Sequence, residues 1–78
     1  MLILSRMTNN MSLNRIKAAL ADHRRTSKWL AEQLGKSETT ISRWVSNKVQ
    51  PSIEQLYEIA DILKMDVKEL LVSNNQIN

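Results

Sequence analysis

Cysteine is absent from this 78-residue chain, and glycine, proline and histidine occur once each. Without cysteine there is no disulfide and no thiolate zinc site. The lone histidine, His23, cannot build a metal site unaided. It sits in the basic segment "DHRR", with no candidate pocket for the serine, histidine and acid of a hydrolytic triad, and its position suits an exposed helix end. Long hydrophobic runs are missing too. Nothing approaches the roughly 18 apolar residues of a membrane span, and the opening "MLIL" is too short for the core of a signal peptide. These absences point away from an enzyme: no catalytic residue, metal, cofactor or small-molecule ligand is expected, and no membrane association. The expected location is cytoplasmic.

What remains suits one small soluble domain. Hydrophobic residues make up 42% and charged residues 24%, ordinary values for a folded chain. A domain of this size buries only about 60% of its unfolded surface, so its stability margin is narrow. The net charge of +3 is unevenly spread. Residues 1–48 hold nine Lys/Arg against three Asp/Glu, a net +6, whereas residues 49–78 hold two against five, a net −3. A basic half joined to an acidic half suits a polyanion on one face, although solvated surface charge gives the same count.

Hydrophobic residues recur at helical spacing along most of the chain. Leu13, Ile16 and Leu20 mark a first helix ending near Arg24 and Arg25. Thr26 or Ser27 can cap a second, carrying Leu30, Ala31 and Leu34, and Ser37 can cap a third with Ile41, Trp44 and Val45 inward. Pro51 disfavours helix in the residue before it. "SIEQ" at 52–55 then reads as a capping box opening a fourth helix, whose core stripe is Ile53, Leu56, Ala60 and Leu63. "DVKE" at 66–69 resembles a similar start for a short fifth helix using Val67, Leu70 and Leu71. The fold expected is all-α. Residues 12–72 form the domain and 73–78 a polar tail. Residues 1–11 stay open between a flexible arm, a short strand at a dimer seam and upstream translated sequence, with Met7 and Met11 as alternative starts.

The stretch "LGKSETTISRW" at 34–44 holds the only glycine, Gly35, directly after the inward-facing Leu34. Glycine there lets a helix end in the left-handed conformation. Ala31, one turn earlier, allows a second helix to cross close to the backbone. Ile41 and Trp44 then fall where they pack back on Leu30, Ala31 and Leu34. Ala, Gly, Ile and Trp at 31, 35, 41 and 44 thus specify a helix-turn-helix between the second and third helices. Glu38, Thr39, Thr40, Ser42 and Arg43 are left outward at the front of the third helix, with groups that suit base edges and phosphates. Ser37 and Glu38 also serve the helix start itself, since an acid in the first turn complements the dipole. Three hydroxyls in four positions, by contrast, give up helix propensity without packing gain. Trp29 is better placed for packing than for exposure.

With these motifs in view, the sequence resembles the Cro/repressor-type helix-turn-helix regulators, also called xenobiotic-response-element-like. The resemblance runs from about Asn14 to Leu71, about three-quarters of the chain, through "WLAEQLGKSETTISRW" and "SNKVQPSIEQLYEIADILKMDVKELL". It implies a compact five-helix, lambda-repressor-like domain and a transcriptional regulator, a repressor for preference. Such a protein binds a palindromic double-stranded DNA operator as a homodimer, with its third helix, about 38–46, in the major groove. Base-contact positions fall on Glu38, Thr39 and Arg43, with Thr40 beside them. Phosphate-contact positions fall on Ser27, Lys28, Lys36, Ser37, Ser42, Asn47, Lys48 and Gln50. The chain departs from the family's pattern at two points. Leu20 and Val45 replace a common Arg–Glu pair, and Asn47 stands where glycine is usual. The dimer seam is expected on Tyr57, Ile59, Leu71 and Val72, or on "MLIL". A second reading, an antitoxin-like protein-interaction module on the same fold, accounts less well for the basic half.

Overall fold

The computed structural model describes residues 12–74. They form four α-helices, α1 (Ile16–Asp22), α2 (Ser27–Leu34), α3 (Glu38–Val45) and α4 (Ile53–Leu63), followed by a 3-10 turn at Val67–Leu70. The expected arm over 1–11, with its "MLIL" seam, lies outside the described residues, as does most of the expected tail.

The fifth helix is therefore corrected to a single 3-10 turn, and the reason is backbone pairing. The Leu70 carbonyl accepts from Arg15 N at 2.7 Å, and Val72 N donates to the Leu13 carbonyl at 3.0 Å. An isolated antiparallel bridge between Asn14 and Leu71 sits between these bonds. Leu71 accordingly adopts extended backbone, φ −115° and ψ 144°. The same pairing holds Leu13 outside α1, contrary to the periodicity. Asn14 reinforces that start, its Oδ1 accepting from Ile16 N at 3.1 Å.

Every helix after α1 begins with a side-chain cap. Thr26, Ser37 and Ser52 accept from the backbone N–H three residues on, and the Ser52–Gln55 box is reciprocal, as the sequence pattern predicts. The core comprises Ile16, Ala19 and Leu20 of α1, Leu30 and Ala31 of α2, Ile41 and Trp44 of α3, Leu56, Ile59, Ala60 and Leu63 of α4, and Leu70. Val45 packs against this cluster and Leu20 is part of it, so apolar contact fills the places of the Arg–Glu pair without the desolvation cost of buried charges. Two expectations on α4 change. Ile53, in its first turn, is 65% exposed, and Ile59, expected outward, is fully buried. The stripe begins at Leu56 and runs 56, 59, 60, 63, a complete i, i+3, i+4, i+7 face.

Candidate nucleic-acid interface

The turn between α2 and α3 is three residues long, Gly35–Lys36–Ser37. Gly35 takes φ 66° and ψ 34°. Its N–H bonds the Glu32 carbonyl at 3.4 Å, and Lys36 N bonds the Ala31 carbonyl at 3.0 Å. This is a Schellman ending, which satisfies carbonyls that a helix otherwise leaves free. Ser37, extended at ψ 151°, then restarts the chain as the cap of α3. A Cβ on Gly35 would meet nothing within 4 Å. The glycine therefore answers the backbone angle and no close approach.

Ile41, fully buried, and Trp44, 4% exposed, hold α3 down on the core. The opposite face is open. Glu38, Thr39, Ser42 and Arg43 are exposed and together line one shallow surface depression. Three of the four expected base-contact residues, with Ser42, thus share a single surface. Thr40 differs. It is half-buried, its N–H donates to Ser37 Oγ at 3.1 Å, and its hydroxyl lies 2.9 Å from the same oxygen. The Ser37 and Thr40 hydroxyls are engaged with each other in the cap. Glu38 occupies the first turn of α3, where its charge also favours the helix dipole.

The expected phosphate-side residues flank this face along the chain. Ser27 and Lys28 open α2, with Lys28 exposed and Ser27 half-buried, and Lys36 is exposed in the turn. Beyond α3, Asn47 takes φ 62°, the left-handed angle that asparagine tolerates better than most residues. Asn47 N bonds the Trp44 carbonyl at 3.0 Å, and Lys48 N bonds the Arg43 carbonyl at 3.0 Å. This Schellman ending repeats the geometry of Gly35. Lys48 and Gln50 are exposed, and Asn47 is half-buried.

Two features escaped the sequence reading. Arg25 lies 4.4 Å over the Trp29 ring, a cation–π pair at the start of α2 beside Lys28. Trp29 also packs on the core, so it both packs and carries a cation. The second is Asn14, the buried polar residue at 4% exposure. Its amide nitrogen finds its partners 30 or more positions away, on Trp44 and Gln50, so no local pattern marks that role.

A family model for the Cro/C1-type helix-turn-helix DNA-binding domain matches residues 15–76. The chain belongs to this family. In this Cro/C1-type domain the matched region spans all four helices and the 3-10 turn. The crystal structure of a Bacteroides fragilis protein, described as a candidate DNA-binding protein, aligns with a TM-score of 0.77 and 56% identity. The alignment covers 80% of this chain and 100% of that one. No curated protein matches this chain. Among the described residues, no helix is long and apolar enough to cross a membrane.

Proposed function

We propose that the chain is a sequence-specific transcriptional regulator, acting as a repressor, that places α3 in the major groove of a palindromic operator. The observation that carries this reading is the exposed row Glu38, Thr39, Ser42 and Arg43 on a helix whose opposite face is anchored by Ile41 and Trp44. Arg43 supplies a fork that matches the acceptors of guanine, and Thr39 a hydroxyl and methyl for an adjacent base edge. Thr40 supports the row from the cap, next to the groove floor. Glu38 accepts from a cytosine amino group, or rejects other bases by repulsion, or serves only the helix start. Phosphates meet Ser27 and Lys28 at the front of α2, Lys36 and Ser37 in the turn, Ser42 on α3, and Lys48 in the loop over 47–50.

One short helix reads a small half-site, so two copies related by a two-fold axis complete the operator. Ile53, Tyr57 and Leu71, exposed at 65%, 58% and 44%, offer apolar surface for that pairing within the acidic half. As a regulator of this kind the chain works in the cytoplasm, with DNA and a second copy of itself as partners, and without catalysis or cofactor. A gel shift against duplex DNA at rising salt tests the reading. Binding that weakens steeply with salt supports it, and no shift at low salt overturns it. Sedimentation tests pairing, and a strict monomer both free and on DNA would contradict it.

A further inference from the structure

The loop that carries Lys48 is tied to a distant part of the chain through the side chains of Asn14, Asn47 and Gln50. Asn47 Oδ1 accepts from the backbone N–H groups of Leu13 and Asn14, each at 2.9 Å. Asn47 Nδ2 donates back to the Asn14 carbonyl at 3.3 Å. Asn14 replies through its own amide, donating from Nδ2 to the Trp44 carbonyl at 2.9 Å and to Gln50 Oε1 at 2.7 Å. Gln50 Nε2 closes the ring on Asn47 Oδ1 at 3.1 Å. Both Asn14 Nδ2 protons are used, and Oδ1 accepts from Ile16 N. The network therefore joins three places: the start of α1, the last turn of α3, and the loop over 47–50.

Asparagine at 47 does two things that glycine, equally able to take φ 62°, cannot do together. It permits the turn and it anchors it. The Lys48 and Val49 N–H groups both point back to the Arg43 carbonyl, at 3.0 and 3.3 Å, which leaves the Lys48 side chain exposed beside the end of α3. We propose that Asn14 and Asn47 are positioning residues, a reciprocal amide pair that holds this loop in the pose from which Lys48 meets the DNA backbone. The proposal rests on the DNA-binding reading above. It assigns the Asn47 and Gln50 side chains to the loop's placement, and the charge that meets phosphate to Lys48. Asn14 is buried, and a buried amide that is fully satisfied fixes one geometry, because any other leaves a donor or acceptor unpaired away from water.

The test uses the full chain and a random-sequence duplex, with Asn47→Gly as the main variant. Glycine keeps the backbone angle, so the turn survives while the side-chain bonds are lost. The slope of log K against log salt is expected to fall by about one unit, the loss expected for Lys48→Ala, and the double variant should lose no more than either alone. Amide exchange at Lys48 and Val49 should speed up about tenfold, while that of buried α3 amides holds. Gln50→Ala, which removes the outer member and touches no backbone, should move both readouts the same way by less. A full wild-type slope in Asn47→Gly, or additive losses in the double variant, would overturn the positioning role. A variant that merely melts earlier with its slope intact overturns it as well. If the unsubstituted chain shows no salt-dependent DNA binding, the functional reading falls instead, a result that the variants do not produce.

Discussion

Among the described residues, four turn the backbone through positive φ, and three of them carry side chains: Arg24 at 56°, Asn47 at 62° and Lys64 at 57°. The fourth is Gly35 at 66°. Each follows a helix, and each is succeeded by a residue whose N–H reaches back into that helix: Arg25 to Leu20, Lys36 to Ala31, Lys48 to Arg43 and Met65 to Ala60. One ending is thus repeated four times, with glycine reserved for the helix-turn-helix. Left-handed backbone costs a residue with a Cβ about 1 kcal/mol. Gly35→Ala should therefore lower unfolding free energy by about 1 kcal/mol in urea titration, because open space around the Cβ leaves only the angle to oppose it. A loss beyond about 3 kcal/mol would mean that something other than the angle is at stake. Lys64→Gly should do the reverse and raise stability by about 0.5 kcal/mol, the relieved angle outweighing the added freedom of the unfolded chain. The sequence made the role of Gly35 legible because glycine has few reasons to follow an apolar helix stripe. It left Arg24 and Lys64 hidden, because their type gives no sign of the angle they adopt.

At the scale of elements, α3 divides its labour by face, and substitution should separate the two. Ile41→Ala opens a cavity at a fully buried site and should cost about 2–5 kcal/mol. Arg43→Ala, on the exposed face, should leave the melting temperature nearly unchanged while it relaxes preference at one operator position by about 1–3 kcal/mol. Equal preference at every position in that variant would remove Arg43 from base reading. Glu38→Gln distinguishes readout, seen as altered sequence preference, from helix-start support, seen as unaltered binding. Loss of the Ser52 cap, in Ser52→Ala, should cost about 1 kcal/mol in thermal unfolding. Helices α2, α3 and α4 were readable because caps and periodicity are local properties. The short fifth element was misread because its fate depends on Leu13–Arg15, more than fifty positions away, whose backbone pairs with Leu70–Val72 and holds Leu71 extended. Ile53 and Ile59 were exchanged between surface and core for a related reason. Spacing gives the direction of a face, but the neighbouring elements decide where that face starts.

For the whole molecule, the basic half over 1–48 includes α2, the turn and α3, and the acidic half over 49–78 begins in the loop before α4. This polarity was visible in the charge count. Lys28→Ala and Lys48→Ala should each reduce the salt slope of DNA binding by about one unit, with similar loss on all sequences, since phosphate contacts carry no sequence information. An unchanged slope would exclude either residue from the backbone contact. Base reading by α3 is the central claim, and selection from a randomised duplex pool tests it most directly. The account predicts an enriched inverted repeat with half-sites about one helical turn apart, one position of which loses its preference when the selection is repeated with Arg43→Ala. Recovery of the input pool with no enriched sequence would contradict it.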